Sequence, residues 1–141
     1  MPKVKNLARF KEKVNARNIM VQAMYQLSFG HNTAKEIEDS FVKEFTKTKV
    51  DYIFFKNIFK YTVKNNDALK EQIYSKSDLE LFGIKKIDVM EENILMLILS
   101  EYELDQTPKN MLIDEAVRLS KKFGADNAYK FVNATLDTLL K

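Results

Sequence analysis

At 141 residues, 45% hydrophobic and 30% charged, the chain has the balance of one ordinary globular domain, long enough to bury a core without covalent staples. The absence of cysteine excludes disulfides, cysteine–zinc centres and thiol nucleophiles, and a single histidine, His31, excludes the commoner histidine metal sites, so no metal and no cofactor is expected. The net charge of +3 is unevenly placed: Lys3, Lys5, Arg9, Lys11, Lys13 and Arg17 meet only Glu12 in the first 17 residues, a net of +5, which leaves the other 124 residues at −2. That asymmetry is the footprint of a nucleic-acid-binding arm or of a solvated tail, and charge alone does not choose between them.

Three glycines and two prolines leave little turn chemistry for a sheet, so the expected class is all-α. A first helix is expected from about Ala16 to Phe29, where Met20, Ala23, Met24 and Leu27 recur at three and four, with Asn15 as its cap and Gly30 as its stop. Extended back to Lys13, it sets Lys13 and Arg17 on one line with Val21. Thr33 and Glu36 have the spacing of a capping box ahead of Ile37, Phe41 and Phe45. A third helix, Asp51 to Lys64, carries Ile53, Phe54, Ile58, Tyr61 and Thr62. A shorter one, capped by Asp67, carries Leu69, Ile73 and Tyr74. The stretch from Ser75 to Ile87 is the least defined, with a weak helical turn at Leu79–Phe82 before Gly83.

Asp88 and Glu91 open a fifth helix that is apolar around most of its circumference, with Ile94, Leu95, Ile98 and Leu99 inside, as a central core helix is. After Pro108, a sixth runs from about Asn110 to Phe123 and stops at Gly124 behind Lys121 and Lys122. The seventh, capped by Asp126, places Ala128, Phe131, Val132, Thr135, Leu136 and Leu139 at helical spacing. The result is about seven helices in two small helical-bundle halves, about 13–75 and 78–141, behind a basic arm of residues 1–12 read as flexible. No stretch approaches the roughly 20 apolar residues that cross a bilayer, and the basic start is not followed by a signal peptide's apolar core, so a cytoplasmic protein is expected.

No phosphate-cradling loop, dinucleotide fingerprint, metalloprotease or esterase motif is present, and no catalytic residue is expected. The paired acids Glu91-Glu92, Glu101 with Glu103, and Asp114-Glu115 read as solvated helix faces and caps, because neighbours on a helix point about 100° apart. The chemistry that remains is the basic start and the aromatic beyond it. Lys13 and Arg17 suit phosphates and Tyr25 suits a base face, the combination that recognises single-stranded RNA. From these residues alone, however, Tyr25 reads slightly better as a core residue, with the cations merely solvated.

The stretch Ile113-Asp114-Glu115-Ala116-Val117-Arg118-Leu119-Ser120-Lys121-Lys122-Phe123-Gly124, followed by Lys130-Phe131-Val132-Asn133-Ala134-Thr135-Leu136-Asp137, resembles the NusB signature I-[ND]-E-A-x-x-L-[AS]-K-x-[FY]-G and then K-F-V-N-x-x-L-D. Glu101-Tyr102-Glu103-Leu104, Pro108, and Ala16-Arg17 with Val21-Gln22-Ala23-Met24-Tyr25-Gln26 are similar to further family positions. The resemblance implies an all-α fold and a function. With NusE, a small-subunit ribosomal protein, the family binds boxA RNA within the RNA polymerase antitermination complex, notably on ribosomal RNA operons. It implies RNA-binding roles for Lys13, Arg17, Gln22 and Tyr25, and for Asn127, Lys130, Phe131 and Asn133 at the head of the last helix, lining the same RNA-facing edge; Lys11, with Lys3, Lys5 and Arg9, is expected to add to the RNA-binding cations from further upstream. A homodimer is left open.

Two departures bear on affinity. The family's run of arginines is reduced to Lys13-Val14-Asn15-Ala16-Arg17, and lysine lacks the bidentate fork of arginine. The helix start usually written E-D-S-H is Asp126-Asn127-Ala128-Tyr129, one carboxylate fewer on a surface meant for phosphates. The alternative reading is a protein–protein module of the same fold whose specific RNA binding is weak or lost. A NusB-like domain also precedes the catalytic domain of some ribosomal RNA methyltransferases, and this chain would match only that non-catalytic part.

Overall fold

The computed structural model describes residues 4–43 and 47–141. Seven α-helices occur among them: α1 Val4–Ser28, α2 Ala34–Val42, α3 Tyr52–Lys64, α4 Asn66–Lys76, α5 Val89–Asp105, α6 Lys109–Phe123 and α7 Ala128–Leu139. No strand is present among the described residues, so the all-α class holds. The chain forms two compact units, Met1–Lys60 and Tyr61–Lys141.

In the first unit α1 packs on α2, burying Ala16, Met20, Val21, Ala23 and Met24 with Ile37 and Phe41. Helix α1 starts at Val4, so residues 4–12 of the expected arm are helical and continuous with the rest. Residues 7–11 bury nothing and so show no core period, but Leu, Ala, Arg, Lys and Glu are good helix formers with no break among them. Asn15 is therefore interior and caps nothing; its side-chain amide donates to the Lys49 carbonyl at 2.8 Å. The capping box at α2 is present, with Thr33 Oγ1 accepting from the Glu36 N–H and Glu36 Oε1 from the Thr33 N–H. Phe45, expected on the α2 stripe, lies outside the described residues. In α3 the buried face is Phe54, Phe55, Ile58 and Phe59, with the rings of Phe55 and Phe59 stacked at 5.6 Å, whereas Ile53 is exposed.

The boundary between the units falls inside α3, not in the 75–78 loop, because its last turn bonds to α5. Tyr61 donates to Glu103 at 2.7 Å, and the buried Thr62 hydroxyl donates to Ser100 Oγ at 2.7 Å. In the second unit α5 is the centre, buried at every residue from Glu91 to Glu101, with α4, α6 and α7 packed on it.

The reading of the paired acids as solvated is corrected for four of them: Glu91, Glu92, Glu101 and Glu115 are buried. Each has partners that keep its charge satisfied. Glu91 accepts from the Ala125 N–H at 3.0 Å, Glu92 meets Tyr74 and Lys70, Glu101 accepts from Thr107, and Glu115 holds Arg118 through two bonds. Their i+2 or i−1 neighbours Glu103 and Asp114 are exposed. Neither Asp67, Asp88 nor Asp126 caps a helix through its side chain. The N-cap of α4 is Asn65, Asp88 holds the N-cap of α5 without a side-chain bond, and that of α7 is Asn127 in the left-handed region at φ 65°.

Candidate nucleic-acid interface

Within the first unit, the expected residues lie along α1. Lys11 is exposed. Lys13 is half-buried, its Nζ 5.0 Å from the centre of the Phe54 ring, and the Arg17 guanidinium stands 5.3 Å from the same ring with only 4% of the residue exposed. The line Lys13–Arg17–Val21 thus dips from half-buried to fully buried, because Phe54 of α3 draws both cations onto its face. One turn on, Gln22 is exposed and its amide donates to the Asn18 carbonyl at 3.2 Å. Tyr25 is 39% exposed and meets Phe29 edge-on at 4.9 Å, which corrects the core reading of this ring. It leaves an aromatic surface on the same helix as the cations.

Within the second unit, a cleft of about 630 Å³ opens between the loop before α5 and the start of α7. Its floor is apolar, with Phe82, Ile84, Ile87 and Phe131, and its rim carries Lys85, Lys86 and Lys130 with Asp88 and Asp126. Asn127 and Lys130 line this cleft and are exposed. Phe131 is 2% exposed, its ring edge-on to Phe82 at 5.5 Å, so it shapes the floor and presents little ring face. Asn133 is exposed on α7 but is not among the lining residues. The amino end of α7 contributes Ala128 and the positive end of its dipole. Glu91 fixes that end: its carboxylate holds the Ala125 N–H, and a side chain at Gly124 would bring a Cβ within 2.3 Å of Glu91 Oε1.

Sequence reasoning missed Lys85 and Lys86. They fall in an irregular segment where no period signals an element, and only tertiary placement sets them beside Lys130. Exposed cations flanking an apolar floor and a surface aromatic are groups that take phosphates and flat bases. Among the described residues no group of three or more acidic or histidine side chains is placed to hold a metal ion, and no helix is long and apolar enough to cross a membrane.

The family model for the NusB family matches residues 14–141. The chain belongs to the NusB family. NusB relatives similar along its whole length include the transcription antitermination protein NusB of Pasteurella multocida (strain Pm70), 33% identical over 97% of this chain and 94% of the relative. The protein of the same name from Haemophilus influenzae (strain 86-028NP) is 32% identical over 99% and 95%. Among solved structures, T. maritima NusB matches with a TM-score of 0.76 at 23% identity, covering 89% of this chain and 88% of that one. This likeness shows that the fold is the all-α NusB fold. Membership places the chain among transcription antitermination factors.

Proposed function

We propose that the chain is an RNA-binding antitermination and elongation factor, acting in the cytoplasm, that binds boxA-like single-stranded RNA together with NusE within the RNA polymerase antitermination complex. In this reading Lys11, Lys13 and Lys130 contact phosphates, Gln22, Asn127 and Asn133 hydrogen-bond to RNA, and Tyr25 stacks on a base. Arg17 and Phe131 act from beneath the surface, Arg17 by holding Phe54 and Lys13 in place and Phe131 as the floor of the cleft. The observation that carries the reading is Tyr25: a half-exposed ring on a cation-bearing helix, in a family of antitermination proteins.

A salt titration tests it. With Lys11, Lys13 and Lys130 on phosphates, the logarithm of affinity should fall against the logarithm of salt with a slope of roughly −2, at about 0.7 per cation for single strands. A flat response would refute it. The second reading, a protein–protein module with weak RNA binding, is favoured by the withdrawal of Arg17 to 4% exposure in a segment already short of arginine. Equal affinity for boxA-like and scrambled RNA, with and without NusE, would select that second reading.

A further inference from the structure

We infer that Phe10 is a base-stacking residue, carrying the single-stranded RNA contact onto the first turns of α1, beyond the residues assigned above; the inference rests on the RNA-binding reading. Residues 7–11 of α1 are all exposed. From Glu12 onward the helix is held by its unit, with the Asp51 N–H donating to the Glu12 carbonyl at 3.3 Å and Asn15 to the Lys49 carbonyl at 2.8 Å. On this outlying segment Phe10 is 45% exposed and Leu7, three residues earlier on the same face, 56%. A single exposed apolar side chain is ordinary and would mean nothing alone.

The charges around Phe10 give its exposure a meaning. Arg9 precedes it, Lys11 follows it, and Lys13 lies one turn on; neither Arg9 nor Lys11 is paired with a carboxylate among the described residues, and Glu12 is the one acid between Leu7 and Arg17. A polyanion drawn to these cations meets a flat hydrocarbon ring between them. Single-stranded nucleic acid offers both parts of that match, and phenylalanine, with no polar group, takes any base.

Other occupants fit less well. A protein groove that seats a helix uses anchors at i, i+3 or i+4, and i+7, but Val14, the next position on the Leu7–Phe10 line, is already half-buried. Two apolar residues are also too small a face for a membrane surface, where binding scales with the apolar area inserted.

The chain contains no tryptophan, so Phe10→Trp introduces a sole reporter. Its emission, titrated with a boxA-like single-stranded oligoribonucleotide, should be quenched and should saturate with the anisotropy of the labelled RNA. Phe10→Ala should weaken RNA binding roughly 5- to 150-fold with the salt slope unchanged, since no cation is lost. Phe10→Tyr should restore it and Phe10→Leu should not. The inference is overturned, with the RNA-binding reading intact, if Phe10→Ala binds RNA as tightly as the natural chain and Phe10→Trp is not quenched. It is overturned in favour of apolar docking if Phe10→Leu restores binding, or if Phe10→Ala loses NusE but keeps RNA. If the natural chain binds no RNA, alone or with NusE, the proposed function fails first and takes the inference with it.

Discussion

Gly124 is required by proximity, not by backbone strain: a would-be Cβ stands 2.3 Å from Oε1 of the buried Glu91, which holds the Ala125 N–H, and 2.8 Å from the Ser120 carbonyl oxygen. Gly124→Ala is therefore expected to destabilise the fold by about 1–3 kcal/mol, as overpacking does. In urea denaturation, adding Glu91→Ala should cost less than the sum of the two single changes, because each damages the same contact; strict additivity would show that they act separately. Tyr25 sits at the opposite extreme. At 39% exposure its ring contributes little to the core, so Tyr25→Ala should leave the denaturation midpoint nearly unchanged while weakening RNA binding by about 1–3 kcal/mol. A large loss of stability with unaltered RNA binding would return Tyr25 to a structural role. Comparing it with Phe54→Ala, which removes a buried ring and should cost about 3–5 kcal/mol, calibrates the assay.

Helices in this fold are joined by tyrosine hydroxyls that donate to carboxylates: Tyr52 of α3 to Glu38 of α2, Tyr61 of α3 to Glu103 of α5, and Tyr74 of α4 to Glu92 of α5. All three phenols are held above their ordinary pKa of 10.0, Tyr52 and Tyr61 chiefly by those hydrogen bonds and Tyr74 chiefly by burial and then by the Glu92 charge. The unfolded chain then releases these protons first. Stability from the three links is whole below pH 10, and it is lost as pH rises past 10 toward the folded values. Chemical denaturation at stepped alkaline pH should show that decline, and replacing the three by phenylalanine should flatten the part of it that lysine titration does not cause. These links, like the buried glutamates, were not legible in the sequence, where they join residues 14 to 42 positions apart. What was legible is what repeats: the three-and-four periods of α5, α6 and α7, the capping box at Thr33, and the paired signature ending at Asp137. Where burial stops, the period stops, which is why the period points to a start near Ala16 while α1 begins at Val4. The lysines of the 82–88 loop stayed hidden for the same reason, since an irregular segment carries no phase from which a neighbour across the cleft can be inferred.

At the scale of the whole molecule the governing quantity is the separation of charge along the chain. Deleting residues 1–11 removes Lys3, Lys5, Arg9 and Lys11 and takes the net charge from +3 to −1. A chain that is net negative repels RNA at long range, so association at low salt should slow more than dissociation quickens. The salt slope should become shallower by about 0.7 for each of the four that touches a phosphate. Near 1 M salt, where screening acts within about 3 Å, the long-range part of the difference should vanish, and what persists is short-range contact such as stacking. Because residues 7–11 bury nothing, the urea midpoint should stay put while helical circular dichroism falls with the missing turns. A lowered midpoint would show instead that the basic segment supports the fold. In that case its loss of RNA binding would report unfolding, and the charge argument would have to be tested by reversing Arg9 and Lys11 in the full-length chain.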